Sequence, residues 1–281
     1  MPAATPPPDL PEPTELHARL STHGELDWGD PLPTWAEIGA AYGPDATAQS
    51  ARLLARSAQV EPAVTADILD AIGSEGFSYR LQNRLKSPQS LARKISTQTD
   101  YRRDKGQQQP EDVLRYTVGT DHPHQLVETA IRTVDRLLAK GWTTQAARQS
   151  YVDRSRYKGV HVVLRTRGQI VELQVHSRES LKVKEATTQL YAVQRDRTQS
   201  PAARARAGRD AVAISAAMTE PDGLAGLKTL GGVPVVPRRY GDRNAANSRG
   251  CGPVETDRPT VRDNQHREHH RQQDRQDGMS R

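Results

Sequence analysis

YKGVHVVLRTRGQIVELQVHS, residues 157–177, decides how this chain folds. Two alternating runs meet at Arg167-Gly168, where a two-residue turn with Gly168 at positive φ predicts an antiparallel hairpin. Side chains alternate with period two along a strand, so Val171, Leu173 and Val175 face one way and Glu172, Gln174 and His176 the other. With Thr166 opposite Gln169, His161 falls opposite Gln174 and Val163 opposite Glu172. Such a polar cluster on one sheet face marks a candidate site; the plain alternative is the exposed face of an ordinary hairpin.

Outward from the hairpin the chain alternates helix and strand patterns. Ala51 to Ser57 and Pro62 to Ser74 read as helices, the second with Val64, Ile68 and Ile72 four apart. Ser87-Pro88 is an N-cap followed by proline, opening a helix to about Thr99 with Leu91 and Ile95 on its inner edge. Ser90 and Lys94, also four apart, share a neighbouring edge. Residues 112–119, DVLRYTVG, read as a strand; Asp121 caps, and Pro123 opens, a long helix carrying Leu126, Ala130, Val134 and Leu137. A strand over Thr143 to Ser150, a charged helix over Arg178 to Arg197 and an Ala/Arg-rich helix over Pro201 to Ala217 complete the pattern.

The 281 residues carry a net charge of +6, unevenly placed. Residues 1–50 hold one Arg against eight acids and residues 238–281 ten Arg against seven, which leaves +10 on 51–237. That middle segment attracts polyanions. The Pro-rich acidic arm 1–48 and the Arg/Gln/Gly-rich tail 218–281 have too little apolar surface to offset ordering entropy, so both are expected to be disordered around a folded domain at 49–217. The tail's HREHHRQQDRQ run reads as solvated rather than metal-binding. The lone Cys251 excludes an internal disulfide and a cysteine zinc cluster, and no run is apolar enough to span a bilayer. The start MPAATPPPDLPEP has no secretory pattern, so a cytoplasmic protein is expected.

Arg84, Lys86 and Lys94 place cations before and within the first turns of a helix whose N-terminal amides already seek anions. Asp112 opens one strand and Glu172 lies within another; two carboxylates on adjacent strands can hold a Mg²⁺ that bridges phosphate oxygens. This is the equipment of phosphoryl-type transfer, whose catalysis is mostly positioning and charge neutralisation. Tyr157 can stack on a base while Lys158 reaches a phosphate.

The order R-x-K-S-x-x-S-x-x-x-K at 84–94, D-x-x-R-Y-T at 112–117, Y-K-G-V-H at 157–161 and E-L-Q-V-H-S at 172–177 resembles the synthetase domain of the RelA/SpoT alarmone synthetases, over roughly residues 60–197. The resemblance implies an α+β, nucleotidyltransferase-like domain, a mixed β-sheet flanked by helices, that moves the β,γ-diphosphate of ATP onto the 3′-hydroxyl of GDP or GTP. It implies Mg²⁺ at Asp112 and Glu172, with Glu172 also a proton acceptor. It places Arg84, Lys86, Ser90, Lys94 and Arg115 at ATP and its phosphates, and Tyr157, Lys158, His161 and Gln174 at the acceptor. The chain departs from the housekeeping pattern D-I-A-G-I-R at Thr117, where Arg115, on the same strand face, can substitute, and from E-I-Q-I-R-T at His176 and Ser177. These departures resemble the small stand-alone and toxin branch, some of whose members modify adenine nucleotides or the 3′ end of tRNA. A growth-inhibiting toxin with an antitoxin or regulatory partner is therefore one expectation, and an inactive nucleotide- or RNA-binding module another.

Overall fold

The computed structural model describes residues 11–21, 24–104, 110–196 and 198–240. Its helices and strands run α1 Pro13–Leu20, α2 Trp35–Tyr42, α3 Pro44–Ile72, β1 Phe77–Ser78, α4 Pro88–Asp104, β2 Leu114–Thr120, α5 Leu126–Ala139, β3 Thr143–Gln149, β4 Val160–Thr166, β5 Gln169–Ser177, α6 Arg178–Ala186, α7 Thr188–Arg195, α8 Pro201–Ala216, β6 Thr229–Leu230 and β7 Val233–Pro237. The strands form a seven-stranded mixed sheet in the order β1-β2-β5-β4-β3-β7-β6. β2 runs parallel to β5 and β3 parallel to β7, and the other pairs are antiparallel.

The hairpin has the expected register: Thr166 pairs with Gln169, Val163 with Glu172 and His161 with Gln174. Arg167 and Gly168 both take positive φ, 47° and 73°, as a two-residue turn matched to strand twist requires. One sheet face is apolar: Leu114, Tyr116 and Val118 of β2 lie beside Val171, Leu173 and Val175 of β5, which lie beside Leu164, Val162 and Val160 of β4. These side chains are buried in one core with Leu126, Ala130, Val134 and Leu137 of α5 and with Leu54, Val64 and Ile68 of α3. The hydrophobic effect thus commits that face to the helices and leaves the other for polar groups.

Three expectations are corrected. The arm 1–48 is not a disordered segment throughout: α1 and α2 lie in it, and Leu16, Leu20, Trp28, Trp35 and Ile38 are buried in the core, which offsets their ordering entropy. The tail expected from 218 is ordered over 224–237, where Leu224, Leu227 and Leu230 are buried and Ala147, Arg148 and Gln149 pair with β7. Residues 1–10 and 241–281, with Cys251 and the His-rich run, lie outside the described residues. The two helices expected over 51–74 are one, α3, running through Pro62. Pro62 is exposed, while Leu54, Ser57, Glu61, Val64 and Ile68 form a continuous buried stripe, so packing outweighs the lost backbone bond.

Smaller differences share that logic. The charged helix breaks at Thr187 into α6 and α7. His122 and Gln125, not Asp121, form the capping box that leads through a 3₁₀ turn into α5, and Asp121 pairs with Arg178 at 2.5 Å. Among the described residues, no helix is long and apolar enough to cross a membrane.

Candidate active site

The polar sheet face is assembled by register. Arg115 of β2 is the strand partner of Glu172, and Thr117 of Gln174; across β5, Gln174 pairs with His161 of β4, which pairs with Arg148 of β3. At one end of this face the segment before α4 joins β2: Leu85 bridges Leu114, and Lys86 N–H donates to the Val113 carbonyl at 3.0 Å. That pairing carries Lys86 to the turn holding Asp112. Asp112 accepts Lys86 Nζ at 3.1 Å and Lys94 Nζ at 2.5 Å. Burial works against the Asp112 charge, but the two ammonium groups outweigh it and hold the carboxyl well below its usual range.

Glu172 is set by its neighbours. An ionised carboxylate can only accept, so His161 Nδ1 carries the hydrogen in its 3.2 Å contact with Oε1, and Gln174 Nε2 donates to Oε2 at 3.1 Å. Burial pushes the Glu172 pKa up, as does the charge of Asp112, but His161 and Arg115 overcome both and leave it lowered. The two carboxylates therefore feel one another and are both ionised at neutral pH. Arg115 and Thr117 line a cavity of about 100 Å³ with Tyr79, Arg80, Asn83, Lys184, Glu185 and Thr188. Arg115 also lines a second cavity, of about 160 Å³, with Asp27, Asn83, Lys86, Ser87, Ser90 and Asp112. Its guanidinium has no carboxylate within ion-pair distance among the described residues.

Of the sequence-derived candidates, Lys86, Ser90, Lys94, Asp112 and Arg115 thus gather at one end of the face, and His161, Glu172 and Gln174 join them across the sheet. Arg84 does not. It is 1% exposed, on the far side of the segment, where Nε donates to Glu61 Oε1 at 2.6 Å and Nη2 to the Leu20 carbonyl at 2.6 Å. The assignment of Arg84 to ATP is corrected: its guanidinium is taken up by the buried Glu61 carboxylate and backbone carbonyls, and the cation of this segment that reaches Asp112 is Lys86.

Tyr157 is at the site but committed. Its hydroxyl donates to Gln174 Oε1 at 3.0 Å and meets His176 Nε2 at 2.7 Å, and its ring is packed edge-on by His161, His176 and Tyr240. Lys158 is half-buried, its backbone bonded to the His176 ring. Gly159 leaves room for that ring, because a Cβ there would stand 2.5 Å from His176 Cε1. Burial, then the charges of Lys184 and His161, hold His176 well below its ordinary pKa, so it is neutral.

Three further residues belong here. Arg148 forks onto Glu111, next to Asp112, at 2.9 and 3.0 Å; strand alternation opposite His161 was the signal for it. Lys184 donates to Gln174 Oε1 at 3.2 Å from α6. Tyr240 stacks on His161, with ring centroids 5.6 Å apart, and its sequence context, read as a polar tail, hid it. His161 Nε2 is buried without a hydrogen-bond partner among the described residues, which leaves one ring nitrogen of the site uncommitted.

No protein-family model matches the chain, and no curated protein does. Among solved structures, a crystal structure of small alarmone synthetase 1 from Bacillus subtilis bound to its product pppGpp is similar at 15% identity, covering 43% of this chain and 69% of that one, with a TM-score of 0.28. A likeness this loose carries no weight for substrate or mechanism.

Proposed function

We propose that this cleft transfers the β,γ-diphosphate of ATP to the 3′-hydroxyl of GDP or GTP and releases AMP. The observation that carries the reading is one sheet face with two ionised carboxylates, Asp112 and Glu172, and an arginine, Arg115, that has no acid partner among the described residues. Acids to balance a metal and free cations to meet phosphate are what such a transfer needs. The donor type suits Mg²⁺, which characteristically takes one or two carboxylates and completes its shell with phosphate oxygens and water; Asp112 and Glu172 would hold it, Asp112 exchanging its contacts with Lys86 and Lys94 for the ion. When bound, the ion would supply neutralisation of charge on the phosphates.

In this reading the acceptor's 3′-oxygen attacks the β-phosphorus, the bond to the α,β-bridging oxygen breaks, and AMP leaves with that oxygen and its electron pair. The hydroxyl proton passes to Glu172, which His161 and Gln174 hold in place. A lowered pKa makes Glu172 a weak base but keeps it ready to accept, and loose phosphoryl transition states ask more for orientation than for base strength. Lys86, Lys94, Ser90 and Arg115 would receive the ATP phosphates; Tyr157, Lys158, His161 and Gln174 would meet the acceptor.

Incubating the protein with ATP labelled at the γ-phosphate and, in parallel, GDP, GTP, ATP or tRNA should move label to a guanine nucleotide. Transfer to tRNA or ATP instead would establish the second reading; the +10 charge of residues 51–237 suits tRNA in particular, because long polyanions gain most from spread charge. Nucleotide binding without transfer to any acceptor would leave a binding module.

A pH dependence follows from Lys184. Burial, with the charges of Arg115 and Arg80, lowers its pKa to about 8 against the pull of Glu172. Its charge is present below that pH and lost above it, and kcat/KM reports the free enzyme. We expect kcat/KM to fall as pH rises through about 8 and the limb to move upward in Lys184→Arg; a limb that Lys184→Arg leaves in place would assign it to another group. Stability should move oppositely, rising from about pH 8 toward 10.5 because the unfolded chain then binds more protons.

A further inference from the structure

We infer that Arg156 and Arg195, both stacked on the Tyr191 ring, form with Arg93 beside them a phosphate-binding site that does not use the Asp112 and Glu172 carboxylates. The three come from separate elements: Arg93 from α4, Arg156 from the loop before β4, and Arg195 from the last turn of α7. Arg156 Cζ lies 4.1 Å and Arg195 Cζ 5.1 Å from the centroid of the Tyr191 ring. Among the described residues no carboxylate stands within ion-pair distance of any of the three. Asp196, the acid next in sequence, is taken up by Thr198 and Gln199. Arg156 Nε is buried without a hydrogen-bond partner among the described residues, and Tyr191 is 36% exposed beside it.

Guanidinium groups that share one aromatic ring repel each other, and stacking on the ring face offsets only part of that repulsion. Burial first, and then the charge of Arg195, disfavours the charge on Arg93; burial does the same at Arg156, opposed by the Tyr191 hydroxyl beside it, with Arg195 adding a smaller push. An anion would relieve both. Planar guanidinium forks match the oxygens of phosphate and carboxylate alike, and several arginines gathered together suit a multiply charged phosphate better than a single carboxylate or a halide. The ligand chemistry is therefore a phosphate-bearing anion. Its source is either the polyphosphate of a free nucleotide or the phosphodiester backbone of single-stranded RNA. The inference does not depend on the reaction assigned to the cleft, since among the described residues none of the three arginines pairs with Asp112 or Glu172.

The test uses the full chain without ATP turnover. Calorimetry with inorganic tripolyphosphate and fluorescence anisotropy with a short labelled single-stranded RNA are run on wild type, Arg93→Gln/Arg195→Gln and Arg195→Glu, the last at an exposed position that keeps the test open if the double variant unfolds. A tripolyphosphate site that disappears in the variants identifies free polyphosphate as the ligand. An RNA affinity that falls roughly tenfold, with the slope of log affinity against log salt shallower by about 0.7 for each arginine removed, identifies the phosphodiester strand. Variants that fold and bind both probes as wild type does overturn the inference, whatever becomes of diphosphate transfer.

Discussion

Glu172→Gln is expected to lower diphosphate transfer by about 10²- to 10⁴-fold while leaving a folded protein. The amide keeps the shape of the side chain and can still accept from His161 Nδ1, so the hairpin register and the His161 ring should stay in place. It removes the charge that feels Asp112 and, in the proposed reaction, the second carboxylate for a Mg²⁺ and the acceptor for the hydroxyl proton. Its cost to stability comes from one contact: the new amide nitrogen faces Gln174 Nε2, which was donating to Oε2. Gln174 cannot turn over freely, because its Oε1 already accepts from Tyr157 and Lys184. One unmade buried bond costs about 1–3 kcal/mol, a loss that thermal unfolding would detect and that a stable domain survives. Measured transfer within a few-fold of wild type, in protein shown to be folded, would remove Glu172 from the chemistry.

How much of this was legible beforehand depends on the range of the forces involved. The hairpin was readable because its information is local: a two-residue turn sets the register, and the register places His161, Glu172 and Gln174 on one face. The gathering of Lys86 and Lys94 on Asp112 needed a long-range fact, the bridge of Leu85 to Leu114, which no spacing reveals. The N-terminal helices were missed for a compositional reason. Few apolar residues in a Pro-rich, acidic segment look insufficient for order, yet Leu16, Leu20, Trp28, Trp35 and Ile38 bury almost completely against a core built elsewhere. Trp28 also donates its indole N–H to the Leu85 carbonyl at 3.0 Å, so this arm braces the segment that carries Lys86. β7 escaped for a similar reason: its pairing partner, β3, lies more than 80 residues upstream, and Tyr240 reaches His161 through that pairing.

Arg84 is where residue type and position were most misleading, and its replacement should have the largest effect on stability. A basic residue two before Lys86 reads as a phosphate ligand, but the Arg84–Glu61 pair is 0% exposed on both side chains. Arg84 Nη1 donates to the Leu81 carbonyl at 3.2 Å and the Gly24 carbonyl at 3.4 Å, and Nη2 to Leu20. Glu61 in turn accepts from Thr65 Oγ1 at 2.5 Å, and Thr65 bonds the Tyr116 hydroxyl at 2.7 Å. The arginine thus ties α1, α3 and β2 together through one buried network. Arg84→Ala would leave the Glu61 carboxylate buried without its countercharge and several carbonyls without donors. We expect a loss of about 3–5 kcal/mol, a large share of the roughly 5–15 kcal/mol that holds a typical domain folded. Arg84→Met combined with Glu61→Gln should unfold at higher denaturant than Arg84→Met alone, because removing the remaining buried charge recovers much of the penalty. An Arg84→Ala protein as stable as wild type but unable to bind ATP would return this residue to the ligand side of the segment and undo the account of α1 as a structural element.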